Sequence, residues 1–120
     1  MYTMDKNCTI YKTVDFIGKK WTLLILLELH KKGWKRYSEL KKSIPEITPK
    51  ILSSRLKELE EEKLVIKEVD ARNFPVKCED SLTKQGREFI TVIQSMKTWA
   101  LKWKVKNNIC EARDCSQCKL

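Results

Sequence analysis

The sequence has few residues that interrupt helices and few of the side chains on which catalysis most often depends. Its 120 residues include three glycines, three prolines and one histidine. Because helix breakers are scarce and lysine, leucine and glutamate are abundant, a mainly helical globular chain is predicted. With one histidine, no glycine-rich phosphate loop and no Ser/His/Asp arrangement, we expect that the protein is not an enzyme.

Long hydrophobic runs are also missing. The longest run, residues 23–27, is far shorter than the roughly 20 residues that cross a bilayer. The N-terminus lacks the apolar segment of a secretory leader. The cysteines number five, which is odd, and Cys8 and Cys78 have no near partner in sequence, so a secreted disulfide framework fits poorly. We therefore expect a cytoplasmic protein without a membrane partner.

Basic side chains are present in excess. The chain has 25 lysines and arginines against 16 acidic residues, which gives a formal net charge of +9. This excess favours a polyanionic partner such as a nucleic acid. A solvated surface rich in lysine and glutamate would give the same composition, so the placement of the charges must distinguish the two interpretations.

Apolar spacing and turn residues predict one continuous series of elements. The series comprises helices over residues 8–17 and 21–30, a strand over 34–36, a helix over 38–43 capped by Ser38, a helix over 48–63, strands over 64–70 and 76–82, and a last helix after Thr83. The strongest start signal is Thr48–Pro49, because threonine can cap a helix and proline fits its first position. This mainly α order with a small β-hairpin wing predicts a winged helix-turn-helix domain over residues 1–107, followed by a cysteine-containing tail over 108–120.

The helix that starts at Thr48 has two chemically different faces. At about 100° per residue, Leu52, Leu56 and Leu59 lie on one side. Lysine and serine side chains on the other side can reach phosphates and base edges in a major groove, although any solvated helix has a polar face. An equal alternative for Arg72, at the tip of the wing, is that it is an ordinary solvated residue of the turn. The predicted DNA contacts are Thr48, Pro49, Lys50, Ser53, Ser54, Lys57, Lys19, Arg36 and the wing-tip Arg72.

The last helix carries apolar residues at alternating spacings of four and three. This seam is longer than the small core needs, which indicates a partner chain and hence a homodimer. The predicted interface residues are Phe89, Ile93, Met96, Ala100 and Trp103.

Four segments resemble the HxlR family of winged-helix transcriptional regulators, which are relatives of the MarR group. They are DFIGKKWTLLIL from Asp15, RYSEL from Arg36, ITPKILSSRLKELE from Ile47 and SLTKQG from Ser81. The resemblance implies a dimer built by the first and last helices, with the Thr48 helix recognising DNA. It places Cys8 at a cysteine position that some members use to sense electrophiles or oxidants. It also places Asp80 where many members carry an aromatic residue, so strand packing there is expected to differ.

The remaining cysteines leave three interpretations open. Cys110, Cys115 and Cys118 could hold zinc or iron if Cys8, His30, Cys78 or another subunit supplied a fourth ligand, and Cys8 is the best candidate. Alternatively, Cys8, near Lys6 and Lys12 at a helix start, is a reactive thiol with the tail cysteines as resolving partners. The third interpretation is that the cysteines do neither.

These features together predict a sequence-specific regulator of transcription that binds double-stranded DNA as a homodimer on a pseudo-palindromic operator. The alternative is a winged-helix module that binds protein or RNA, because a fold does not fix a function. The sequence identifies neither the operator nor an effector.

Overall fold

The computed structural model describes residues 5–70, 72, 77–106, 111 and 114. Within them, the helices and strands follow the predicted order. Their bounds are α1 Thr9–Ile17, α2 Thr22–Lys32, β1 Trp34–Arg36, α3 Tyr37–Ser43, α4 Pro49–Glu61, β2 Val65–Asp70, β3 Lys77–Leu82 and α5 Lys84–Trp103.

Helix α2 lies at the centre of the core. Its side chains Ile25, Leu26 and Leu29 are fully buried because they repeat at the spacing of one helix face. The helix ends at Gly33, whose φ of 92° is in the left-handed region that a residue without a Cβ adopts most easily. The segments around α2 supply the other core residues, which are Leu40, Ile44, Ile47, Leu52, Leu56, Leu59, Leu64, Val65, Leu82, Ile90 and Ile93.

The strands form one antiparallel sheet in the order β1-β3-β2. The hairpin prediction is confirmed for β2 and β3, and β1 joins them as a third strand along the free edge of β3. Val65 lies opposite Leu82, and both are buried. Because side chains alternate along a strand, Lys67 and its partner Asp80 are on this same inner face. Residues 71 and 73–75 of the predicted wing loop, and residue 76 of the strand predicted after it, lie outside the described residues.

Two start signals were predicted correctly and one was wrong. The Thr48 hydroxyl accepts a hydrogen bond from the Ile51 N–H at 3.2 Å, and the Thr83 hydroxyl accepts one from Gly86 at 3.1 Å. Ser38, however, does not cap α3, which begins one residue earlier at Tyr37. Arg36 is the extended cap residue because it still pairs in the sheet, and its N–H donates to the Glu39 carboxylate at 3.2 Å.

The other predicted boundaries agree with the observed ones to within two residues. Helix α4 ends at Glu61 rather than residue 63, since Lys63 has a φ of 64° and turns the chain toward β2. In the part of the chain that the structure describes, no helix has both the length and the apolar character to cross a membrane.

Candidate nucleic-acid interface

The predicted division of α4 into two faces is confirmed. Leu52, Leu56 and Leu59 are at most 5% exposed and hold the helix against the core. The opposite face is open to solvent at all six predicted positions, which are Thr48, Pro49, Lys50, Ser53, Ser54 and Lys57. Two ammonium groups and several hydroxyls therefore share one exposed surface, the chemistry that phosphates and base edges require.

The N-terminal turn of α4 is held by a residue of α3. The Tyr37 hydroxyl donates a hydrogen bond to the Pro49 carbonyl oxygen at 3.1 Å, and Ser53 Oγ lies 3.5 Å from the same hydroxyl. The Tyr37 ring packs against the hydrophobic core. Sequence analysis did not predict this contact of Tyr37 with α4, because it depends on how α3 packs beside α4.

The C-terminal half of α4 is held by the connection between α1 and α2. Glu58 Oε1 lies 3.1 Å from both Lys19 Nζ and Arg55 Nη1. Arg55 Nε also donates to the Lys20 carbonyl oxygen at 3.4 Å. Lys19, predicted to contact DNA, therefore has an acidic partner within the protein. Arg55 was not predicted at all, because its role depends on which segment packs beside it.

The two other cations predicted to contact DNA, Arg36 and Arg72, lie in or beside the β-sheet. Arg36 Nε is 3.9 Å from Glu79 Oε1 of β3, a distance that leaves the guanidinium group only loosely paired. Arg72, between β2 and β3, is exposed. The structure thus brings the α4 residues together, while Lys19, Arg36 and Arg72 belong to separate segments around them.

Residues 16–108 match the family described as HxlR-like helix-turn-helix. The chain belongs to this family. It is 38% identical over 113 residues to the uncharacterized HTH-type transcriptional regulator YdeP of Bacillus subtilis strain 168, which covers 92% of this chain and 87% of YdeP.

Solved structures of regulators share the fold of this HxlR-like chain. The reduced form of the transcriptional regulator YodB from B. subtilis superposes with a TM-score of 0.71 at 33% identity, covering 84% of this chain and 98% of YodB. The redox regulator HypR in its oxidised form gives 0.69 at 34% identity, covering 82% and 99%. The HxlR-like chain is accordingly a DNA-binding regulator of transcription with a winged helix-turn-helix fold.

Cys8 of the HxlR-like chain is the cap residue of α1. Its N–H donates to the Asp5 carbonyl oxygen at 3.1 Å, and its own carbonyl oxygen accepts from the Lys12 N–H at 3.0 Å. The thiol is free and half-buried, as is that of Cys78 on β3. Cys8 therefore lies at the N-terminus of α1, where its thiol is only partly shielded from solvent.

The predicted metal ligands Cys110, Cys115 and Cys118 lie outside the described residues. Among the residues that are described, no three histidine, cysteine or acidic side chains form a group that could hold a metal ion. His30 lies in the last turn of α2.

Asp80 is a buried acid that sequence analysis singled out without assigning it a partner. It is 2% exposed on the inner face of the sheet. Burial, together with the neighbouring carboxyl group of Glu60 on α4, raises the pKa of Asp80 to about 6, and Lys67 opposes this only in part. Asp80 on β3 thus lies beside the acidic residue Glu60 near the end of α4.

The apolar seam predicted on α5 is exposed only in part. Ile93 is 5% exposed and belongs to the core of its own chain, and Phe89 packs against that core. Met96 and Trp103 are exposed as predicted, and Ala100 is half-buried. The exposed stripe, here called the α5 apolar face, consists of Val92, Met96, Trp99 and Trp103.

Proposed function

We propose that this HxlR-like regulator works in the cytoplasm as a homodimer, without catalytic activity, and binds a pseudo-palindromic operator with one α4 helix of each subunit in the major groove. The arrangement of side chains on α4 supports this proposal. Its apolar side is buried, while Lys50, Ser53, Ser54 and Lys57 are exposed together. The two lysines would neutralise phosphates or donate to guanine, and the serines would bond to bases or phosphates.

The remaining cations would contact the DNA backbone around this helix. Lys19 and Arg36 have acidic partners at 3.1 and 3.9 Å, so we expect each to contribute less than Lys50. Arg72 would reach a minor groove or a phosphate beside the wing.

Dimerisation would bury the α5 apolar face against a second chain. Val92, Met96, Trp99 and Trp103 are 49–65% exposed. On α1, Ile10 and Val14 are also more than half exposed, and no α1 residue is buried within its own chain. Contiguous exposed apolar residues of this size are typical of a protein interface. The two terminal helices would thus complete each other's cores across the dimer.

Lys50→Ala tests the DNA-binding surface. A gel shift with duplexes selected from a randomised pool should show about fivefold weaker binding, and the salt dependence should fall by about one phosphate contact. Lys84→Ala, an exposed lysine at the start of α5, is the matched control and should bind as the wild type does. Equal binding by both variants, or a preference for duplex RNA over DNA, would contradict the proposal.

Response to thiol oxidation is proposed for Cys8, because it caps a helix and because HypR is a redox regulator of the same fold. A thiol oxidant should change the affinity of the wild type for the selected duplex, while Cys8→Ser should not respond. An equal response of the two would contradict this role. The competing proposal is zinc or iron bound by Cys110, Cys115 and Cys118 with Cys8 as fourth ligand, and substoichiometric metal in anaerobically purified protein would exclude it.

A further inference from the structure

The Tyr37 hydroxyl lies between two groups of the recognition helix that need opposite hydrogen-bonding partners. Its distances are 3.1 Å to the Pro49 carbonyl oxygen and 3.5 Å to Ser53 Oγ. A carbonyl oxygen can only accept, so the single phenolic proton is donated to Pro49. The tyrosine oxygen is then an acceptor toward Ser53, and the second, longer bond has Ser53 as its donor.

This order of donors favours one hydrogen-bonding role for Ser53 toward DNA. A serine hydroxyl has one proton and two acceptor lone pairs. The Ser53 proton is directed back toward Tyr37, while the side chain is exposed on the outer face of α4. Its oxygen is therefore left as an acceptor toward the groove.

Acceptors and donors on a protein select different bases. In the major groove, the base-edge donors are the amino groups of adenine and cytosine, whereas guanine and thymine present acceptors at the equivalent position. A serine that is free to rotate can pair with either kind of edge. A serine whose proton is already used can pair only with an amino group.

We infer that Tyr37 is a specificity-determining positioning residue, which makes Ser53 an acceptor and thereby selects adenine or cytosine over guanine or thymine on the strand that Ser53 faces. The inference rests on the proposed function, since it requires α4 to lie in the major groove. Tyr37 is well placed for this role because its ring packs on the core and its backbone directly follows Arg36, which pairs with Glu79 in the sheet. The ring that carries the hydroxyl is thus positioned by elements other than α4.

The experiment measures base preference. Duplexes are selected by the full-length protein from a pool whose randomised stretch spans about three helical turns, and affinities are measured for all four bases at each half-site position. At one position the wild type should prefer adenine or cytosine by about two- to tenfold, the range of one net hydrogen bond. Tyr37→Phe keeps the ring but frees the Ser53 proton, so this ratio should approach one.

Two further variants separate specificity from stability. Ser53→Ala should also lose the preference, and adding Tyr37→Phe to it should change nothing more. Ser95→Ala, which changes an exposed serine on α5 outside the proposed DNA-binding surface, should retain the preference. The thermal unfolding midpoint of each variant is measured beside its base preference.

The inference is overturned if Tyr37→Phe keeps the wild-type ratio, or if it weakens binding equally for all four bases, as a purely structural residue would. It is also overturned if the double variant loses more discrimination than Ser53→Ala does. If the wild type selects no sequence from the pool, the proposed function itself fails, and this outcome is distinct from the others.

Discussion

At the scale of single residues, Asp80 has the clearest consequence for stability. Its carboxyl group is buried opposite Lys67 and Lys35 in the sheet and next to Glu60 of α4. Lys35 Nζ is committed elsewhere, to Glu28 at 3.0 Å. Burial of this carboxyl group, together with the neighbouring Glu60 carboxyl group, therefore raises the pKa of Asp80 from 3.8 to about 6, and Lys67 opposes the shift only in part.

The direction in which the free energy of unfolding changes with pH depends on whether the folded or the unfolded chain holds the Asp80 proton. Between about pH 4 and about pH 6, folded Asp80 remains protonated while the unfolded chain has already released the proton. This group therefore makes the free energy of unfolding fall as the pH rises through that window, by about 2–3 kcal/mol in total. Above about pH 6 the penalty is fully present.

Asp80→Asn should remove this dependence. An amide stays neutral and can donate to the Glu60 carboxylate, so the variant should be more stable than the wild type by about 1–2 kcal/mol near neutral pH. Urea unfolding from about pH 4 to about pH 7 measures both effects. Asp15→Asn, which changes an exposed carboxyl group on α1, is the control and should keep the wild-type slope. A wild-type slope in Asp80→Asn would contradict the assignment.

At the scale of elements, the apolar residues of α5 fit the same alternating spacing of four and three along two different faces of the helix. Residues 89, 93, 96, 100 and 103 repeat at spacings of four and three, and so do 92, 96, 99 and 103. The two stripes share Met96 and Trp103, and only the packing of α5 against α2 and the sheet decides which stripe is covered. The structure buries Ile93 and leaves Trp99 exposed.

This difference gives the test of the dimer. Met96→Asp and Trp99→Asp place a charge on the α5 apolar face, so each should shift the protein from dimer to monomer in light scattering and weaken operator binding. Ile93→Asp buries the same charge in the core of a single chain and should instead destabilise the fold by several kcal/mol. If both surface variants remained dimeric, the interface would have to lie elsewhere.

Gly86 has a role in the packing of α5 that sequence analysis did not predict. It lies in the first turn of α5 where a Cβ would clash with the Leu64 carbonyl oxygen. Thr83 donates to the Lys63 carbonyl oxygen at 2.6 Å in the same region. The glycine therefore allows α5 to approach the segment between α4 and β2 closely, which the sequence motif alone does not explain.

At the scale of the whole molecule, α4 is held at both ends by parts of the chain distant in sequence. Tyr37 contacts its first turn, and Glu58 and Arg55 connect its second half to residues 19 and 20. The exposed lysines and serines are consequently carried on a helix that is fixed to the domain. A fixed helix loses little conformational freedom when it enters a groove, which favours affinity.

The sequence by itself determined the order of the elements, the Thr48 and Thr83 caps, and the two faces of α4. These depend on local spacing and on hydrogen bonds between near neighbours, which any segment carries within itself. Only the tertiary structure decided that Arg36 rather than Ser38 precedes α3, that Asp80 meets Glu60, that Lys19 is paired, and which stripe of α5 stays exposed. Each of these depends on a neighbour supplied by a distant segment, and residue spacing along one helix or strand does not identify that neighbour.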